Sequence, residues 1–364
     1  MAPAGSRPPG PGGAGRSPTT RASLVATAVA VLLLAAIVLG SRGLKDFDSA
    51  LIPYTVASIF LAFGVAYRYT VWVSAPASRR LFRQGWRSFF SVANFRKAPT
   101  ALPKMIITYL GFQKFLGARS HGRWLAHQLM FWGCLLAAAI TFPLTWGWFT
   151  FTSGRGSLPA VAGGGSGPGY EMRIWGVKVL GYDSSSFFGW AMFHGLDLAA
   201  VLVIPGAGYF LWRRMKDRGA ITGQRFAYDF VPLIALITIS VTGLLLTFSS
   251  VLLHGGGYEF LALLHMVSVV FTLIYIPFGK FFHIVQRPAA VGMQLFKYTA
   301  RQDEKVFRCR RCQEPIDTAP YVENLRGTMR DLNLGFDEWA EYCPRCKRAL
   351  RGSAYLSHVK RGFK

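Results

Sequence analysis

Six long stretches of this 364-residue chain carry almost no charged side chains. A helix needs about 20 apolar residues to cross the hydrocarbon core of a membrane, and it satisfies its own backbone hydrogen bonds there. Five of the stretches lack Asp, Glu, Lys and Arg entirely, and the sixth contains only one acid. The stretches are 22–41, 49–67, 124–154, 184–212, 230–253 and 260–279. They predict an all-α integral membrane protein with six transmembrane helices.

The first apolar stretch follows a Pro- and Gly-rich basic leader, residues 1–21, which we predict to be disordered. A basic leader before an apolar stretch is also typical of a signal peptide. The stretch 22–41 is long and lacks a clean small-residue cleavage site, which favours a retained helix. We therefore expect one extra transmembrane helix, 22–41, ahead of a main membrane domain at 49–300.

The chain has 41 Lys and Arg against 17 Asp and Glu, a net charge of +24. Lys and Arg accumulate on the cytoplasmic side of membrane proteins. With the N-terminus inside, 36 basic residues fall in cytoplasmic segments and five in outer ones. This asymmetry predicts a multi-pass cell-membrane protein with both termini in the cytoplasm. Because nothing supplies a helix that could read a DNA groove, we expect no nucleic-acid partner.

Two loops have distinctive compositions. Segment 76–123 carries ten basic residues, no acid and many aromatic residues. That mixture is typical of helices lying in the lipid interface, and it would also suit a dock for a cytoplasmic partner subunit. The outer loop 148–187 is rich in Gly, Ser and Pro, which predicts a flexible connection.

Histidines carry the chemistry suggested by the membrane domain. His265 and His283 are 18 residues apart near the two ends of the last span. On one continuous helix that spacing is five turns and about 27 Å, with both rings on the same face. A helix of this kind could ligate two haems stacked across the bilayer, one near each surface.

Each b-type haem needs a second axial ligand from another helix at the same depth. His127 is level with His283 and forms the predicted inner pair, and His194 is level with His265 and forms the predicted outer pair. Membrane histidines that merely bond to a neighbouring helix are the alternative. Covalent c-type haem attachment is excluded because the chain lacks Cys-x-x-Cys-His.

The stretch 264–297, with Leu-His, Pro-Phe-Gly-Lys and a second His, resembles the last helix of the respiratory nitrate reductase gamma subunit. Membrane cytochromes b of heterodisulfide-reductase and sulfite-reductase-associated complexes are similar. Further matching elements are Arg68-Tyr69, Trp124-Leu-Ala-His127, Asp229 and Thr242-Gly-Leu. The resemblance covers roughly 55–300 and implies a five-helix cytochrome b. Such a protein binds two haems, oxidises a quinol near the outer haem and passes electrons to cytoplasmic iron–sulfur partners.

The chain departs from that family at one ligand. Nitrate reductase members carry a second histidine ten residues after the first on the same helix, and Ala137 stands there instead. The outer haem therefore takes His194, as its depth predicts, or His254, or it is absent.

Two charged residues lie beside the predicted ligands. Asp197, one turn after His194, is the only acid within a span. It could orient His194, or it could act catalytically by accepting a proton from quinol. Lys280 near His283 is a candidate partner for haem propionates, and a simple positive-inside flank is the alternative.

The tail, 301–364, contains Cys309-x-x-Cys312 and Cys343-x-x-Cys346. Two such pairs can bring four thiolates into a tetrahedron, which predicts a small cytoplasmic zinc-ribbon-like domain. The spacing also resembles rubredoxin, an iron electron carrier. Rubredoxin pairs usually continue with Gly, whereas Gln313 and Lys347 follow here, so we favour zinc.

The sequence thus predicts a membrane cytochrome b subunit with two b-type haems that oxidises a quinol, with menaquinol as the expected species. It would pass electrons to a cytoplasmic iron–sulfur or catalytic redox subunit and lacks the motifs of a complete enzyme. A membrane transporter and a haem-free anchor that recruits partners through its zinc ribbon are the rival interpretations.

Overall fold

The computed structural model describes residues 18–97, 99–153, 169–216, 223–303 and 305–362. Residues 1–17 of the predicted leader lie outside the described residues. The helices in chain order are α1 (Pro18–Gly40), α2 (Ile52–Ser74), α3 (Pro76–Phe89), α4 (Val92–Lys97), α5 (Ala101–Ile106), α6 (Lys114–Gly117), α7 (His121–Thr145), α8 (Phe187–Lys216), α9 (Phe226–Asp229), α10 (Val231–Leu252), α11 (Tyr258–Tyr275), α12 (His283–Gln302), α13 (Ala319–Asp331) and α14 (Pro344–Gly362). The strands are β1 (Phe149–Ser153), β2 (Gly169–Ile174), β3 (Val177–Asp183), β4 (Val306–Arg308) and β5 (Pro315–Thr318).

Among the described residues, α1, α2, α7, α8, α10 and α11 are the helices long and apolar enough to cross a membrane. This agrees with the six predicted spans and suggests a multi-pass membrane protein. The six helices pack in the order α1, α2, α11, α10, α8, α7, each against the next. In the part of the chain that the structure describes, α7 and α11 are not packed closely against each other. Helices α8 and α11 therefore flank α10, and α7 packs on α8.

The last span corrects one prediction. His265 and His283 do not share a continuous helix, because α11 ends at Tyr275 and α12 begins at His283. Between them lie a turn and a short 3-10 helix, Lys280–Phe282. Pro277 has no N–H to continue the helical ladder, so the break has a covalent cause. The five-turn rise expected between the two rings is therefore not a property of this structure.

One end of the bundle carries an antiparallel three-stranded sheet in the order β1-β2-β3. We call this end the sheet side. The sheet replaces the flexible connection predicted for 148–187, of which residues 154–168 lie outside the described residues. Strands β2 and β3 join through Trp175 and Gly176, which both have positive φ, the geometry of a tight hairpin turn. Tyr182 of β3 is buried against Phe188 and Phe193 of α8, so the sheet is fixed to the bundle.

The opposite end, which we call the tail side, carries α3 to α6, α12 and the C-terminal tail. Helix α3 packs along α12 at a very close crossing of Gly85 and Gly292. A Cβ atom added to Gly292 would lie 2.7 Å from the carbonyl oxygen of Gly85, so neither helix has room for a side chain there. The opposite face of α3 exposes Arg83 and Trp86, and Phe90, the residue after α3, is also exposed. This two-faced helix agrees with the amphipathic character predicted for 76–123.

The tail forms a small unit from the β4–β5 hairpin, α13 and α14. Asp331 of α13 accepts two hydrogen bonds from the Arg80 guanidinium of α3, at 2.6 and 2.9 Å. The hydrogen bond from Arg80 lowers the pKa of Asp331 below its ordinary value. Lys297 of α12 donates to Asp317 of β5 at 2.7 Å. The tail is thus attached to both α3 and α12.

Candidate functional site

The two histidines of the tail side come from different helices and lie near each other. His127 is in the second turn of α7, and His283 is the first residue of α12. His127 is close enough to His283 and Arg287 for positive charge on either to act on it. The Nδ1 atom of His127 is buried and has no hydrogen-bond partner within the described residues. The structure therefore places the two residues predicted as the inner pair in the same region of the tail side, and their pairing stays a prediction.

The ring of His283 is fixed through the main chain. Its Nδ1 lies 2.6 Å from the carbonyl oxygen of Lys280, which can only accept, so Nδ1 carries the proton. The lone pair of this imidazole is then on Nε2, the atom that a metal would take. Lys280 itself forms an ion pair with Asp229, a contact that the sequence did not predict. Its ammonium group is therefore engaged by protein rather than held free for a propionate.

On the sheet side, His265 of α11 is fixed by a hydroxyl of α10. Its Nδ1 lies 2.9 Å from Oγ1 of Thr242. That hydroxyl donates its one hydrogen to the carbonyl oxygen of Thr238 at 2.7 Å, so it accepts from the imidazole. The tautomer of His265 is thereby set with a free Nε2.

His194 of α8 is fixed by a two-step relay. Its Nδ1 donates to Oδ2 of Asp197 at 2.9 Å, and Oγ1 of Thr247 on α10 donates to Oδ1 of the same carboxylate at 2.7 Å. Both carboxylate oxygens are therefore engaged, which supports the orienting role of Asp197. The Asp197 side chain is still 22% exposed, so the proton-accepting role stays a prediction.

His194 and His265 are not brought into contact with each other. Their partners, Thr247 and Thr242, are five residues apart on α10, which is about 7.5 Å of helical rise. Both α8 and α11 pack on α10. The His194–His265 pairing stays a prediction, since the structure orients each ring separately. The alternative ligand, His254, lies in the turn after α10 with φ at 49°.

These donor sets can be tested against a b-type haem. An axial histidine needs a free Nε2, with Nδ1 donating to a second group that holds the ring. His194, His265 and His283 meet both conditions, whereas Nδ1 of His127 has no partner within the described residues. His283 on the tail side and the two sheet-side histidines therefore each fit such a group as single ligands, and His127 is the tail-side histidine left to complete a pair with His283.

The four tail cysteines converge as predicted. Their sulfur atoms all lie within 4.8 Å of one another, close enough to bind a metal ion such as zinc. Cys309 and Cys312 lie at the β4–β5 turn, while Cys343 and Cys346 lie at the start of α14. Burial raises the pKa of Cys309, but N–H groups of Cys343, Cys312 and Arg311 outweigh burial and lower the pKa to about 6. A thiolate is thus favoured at this position before any metal binds.

Gln313, which follows the first cysteine pair, adopts a left-handed backbone conformation. Its φ is +59°, and its N–H donates to the Cys309 carbonyl oxygen at 2.9 Å. A glycine would take this conformation more easily. The missing glycine therefore does not prevent the turn, and it is a weaker argument against iron than the sequence indicated.

Sequence reasoning missed the roles of Thr242, Thr247 and Asp229. Both threonines lie in an uncharged span where a hydroxyl is unremarkable by composition. For Asp229 and Thr242 the sequence offers only a family resemblance. Burying an unpaired polar side chain in a membrane bundle costs free energy. This cost indicates that histidines within the spans need hydrogen-bond partners, and the two threonines could have been identified on that ground.

Comparisons with known proteins do not identify the function of these residues. No family model matches the chain, and neither a curated protein nor a solved structure matches it.

Proposed function

We propose that this chain is the membrane cytochrome b subunit of a respiratory redox complex. It would oxidise a quinol, with menaquinol as the expected species, and pass electrons to an iron–sulfur or catalytic redox subunit in the cytoplasm. The observation that carries the proposal is the hydrogen bond at Nδ1 that orients each of three histidines, His194, His265 and His283. An imidazole held in this way presents Nε2 as a suitable axial ligand.

In this proposal the chain has two tasks, to hold haem and to manage protons. Haem b supplies one-electron transfer when bound. His127 and His283 would hold one group, and His194 and His265 are predicted to hold a second. Asp197 keeps Nδ1 of His194 protonated and would receive a quinol proton.

The orientation follows from charge. The tail side carries most of the Lys and Arg, so this side would face the cytoplasm. The redox partner would then dock on the tail side, near His127 and His283. Direct contact between lipid and the exposed aromatic residues of α3 is compatible with that arrangement.

For the tail we propose structural zinc, held by Cys309, Cys312, Cys343 and Cys346. The tail attaches to α3 and α12 through ion pairs, which suits a structural module. A rubredoxin-type iron is the second candidate, and the left-handed Gln313 keeps it open.

The primary test is a reduced-minus-oxidised visible spectrum of the detergent-purified full-length protein. We expect the absorption of haem b and its reduction by a menaquinol analogue. A protein that contains no haem when produced with ample haem supply would exclude the cytochrome and favour a transporter or a haem-free anchor. Metal analysis of the same preparation should give one zinc per chain, and one iron in excess of haem iron would favour the rubredoxin-type site.

A further inference from the structure

The segment that presents His283 is a turn rather than a helix interior. Helix α11 ends at Tyr275, and His283 opens α12 after the 3-10 helix Lys280–Phe282. A ligand at the first position of a helix takes its orientation from the preceding turn. What holds this turn therefore decides where the imidazole lies.

One end of the turn is held by an arginine of α2. Nη1 of Arg68 donates to the carbonyl oxygens of Pro277 and Gly279, at 2.5 and 3.3 Å. Its guanidinium also lies over the ring of Phe282, 4.2 Å from the centroid. The carbonyl groups released by the helix break are thereby satisfied.

The other end is held by Asp229. This carboxylate is 8% exposed and accepts hydrogen bonds from Arg214 at 2.8 Å and from the main-chain N–H of Arg225 at 2.9 Å. It also forms an ion pair with Lys280. Burial raises the pKa of Asp229, but Lys280, the Arg225 N–H and Arg214 together outweigh burial and lower the pKa. Asp229 is therefore an anion between two cations.

The Asp229 contact reaches the ligand through one residue. Asp229 binds the side chain of Lys280, and the carbonyl oxygen of Lys280 accepts the Nδ1–H of His283. Without the carboxylate, Arg214 and Lys280 would be two neighbouring positive charges with no anion between them. Lys280, whose side chain is 52% exposed, could then turn to solvent. The main chain at Lys280 would shift with the side chain, and its carbonyl oxygen would move away from His283.

We propose that Asp229 is a positioning residue for His283, acting through Lys280 to fix the orientation and tautomer of the tail-side ligand. The proposal rests on the proposed function for one point, that the group bound by His283 is a haem. The mechanical part, a turn held by Asp229, concerns the chain alone. The two parts can therefore be tested separately.

The mechanical part is tested by hydrogen–deuterium exchange on haem-free protein. In Asp229→Asn we expect amide exchange in 276–286 to accelerate roughly tenfold, the loss expected for one charge-assisted hydrogen bond. Exchange in α1 should not change. Asp331→Asn is the matched control, since it also removes a carboxylate paired with arginine on the tail side. Equal exchange in 276–286 for wild type and Asp229→Asn would overturn the proposal.

The ligand part is tested on haem-loaded protein. Asp229→Asn should shift the spectrum and midpoint potential of one haem and leave the other unchanged, while Asp229→Glu should restore both values. If Asp229→Asn does not fold, Lys280→Gln removes the same ion pair and leaves Asp229 with Arg214. Unchanged spectra in a folded Lys280→Gln protein would contradict the proposal. A wild-type protein without haem would instead exclude the proposed function, and the exchange experiment would still decide the mechanical part.

Discussion

The tail-side and sheet-side histidines are held in different ways. His283 is fixed by a main-chain carbonyl in a turn that ion pairs hold in place. His265 and His194 are fixed by side chains, with both chains of contacts ending on hydroxyls of α10. A ligand of the first kind responds to charges several residues away, while a ligand of the second kind responds to single hydroxyl groups. The two sides should therefore differ in which substitutions disturb them.

The largest expected effect is loss of the haem on one side of the bundle while the haem on the other side is retained. Replacing His283 or His127 with Ala should remove about half of the haem b, because each b-type haem needs both of its axial ligands. Haem content per chain and the reduced-minus-oxidised spectrum measure this. His358→Ala in the tail is the control, as that residue is exposed and lies in α14. Loss of all haem from either change would show that the two sides are not independent.

The second effect concerns the pairing on the sheet side. If His194 and His265 ligate one haem, each Ala substitution should remove the same spectral component, and the double variant should lose nothing further. This pair needs a test of its own, because the ring of His265 contacts Thr242 whereas the ring of His194 reaches Thr247 only through Asp197. Components that are lost separately, and additively in the double variant, would disprove the pairing.

A smaller effect should follow from the α10 hydroxyls. Thr242→Val keeps the shape but removes the acceptor for His265, and Thr247→Val removes the donor to Asp197. One hydrogen bond is about 1 kcal/mol, which is on the order of 40 mV for a one-electron couple. Potentiometric titration should show this shift in the sheet-side haem only. Thr70→Val is the matched control, because the Thr70 hydroxyl donates to Ala66 within α2, and an equal shift in that variant would indicate a non-specific effect.

The smallest effect on the haems should come from the tail metal. Cys309→Ser removes one thiolate of the cluster, so we expect loss of bound metal and release of the tail from α3. Faster protease cleavage after residue 305 measures the release. The spectrum of the sheet-side haem should stay unchanged, since the tail packs at the opposite end. A change in that spectrum would mean that the two ends are coupled.

The spans and the cysteine cluster could be predicted because each depends on a local pattern. An uncharged run specifies a membrane helix wherever it lies, and two Cys-x-x-Cys pairs specify one tetrahedral site. The structure confirmed six helices of suitable length and four converging thiols. Neither property required knowledge of which elements are neighbours.

The sheet and the helix break were missed for different reasons. Short strands such as β2 and β3 give a weak period-two pattern, and it was outweighed by the Gly- and Ser-rich sequence between β1 and β2. The Trp175-Gly176 turn was the available indication, because a glycine at that position favours a tight hairpin. The break at Pro277 was readable from Pro-Phe-Gly, yet the spacing of the two histidines made a continuous helix attractive.

Apart from the cysteine cluster, the side-chain contacts between elements could not be predicted. Nothing in a single sequence says that Thr242 meets His265 or that Asp229 meets Lys280, because each pair depends on how α9, α10 and α11 pack. Chemistry can identify residues that need a partner. Only the fold identifies the partner.

The early end of α11 has a consequence for the surrounding bilayer. With 18 residues, α11 is the shortest of the six candidate spans, and it rises about 27 Å against a hydrocarbon thickness of about 30 Å. In a bundle that spans a bilayer, hydrophobic mismatch on this side would be met by the turn at 276–282 or by local thinning of the lipid. Irregular backbone at that depth requires protein partners for its polar groups, and Arg68 provides them. A bilayer of shorter acyl chains should consequently match this flank of the bundle better than a thick one.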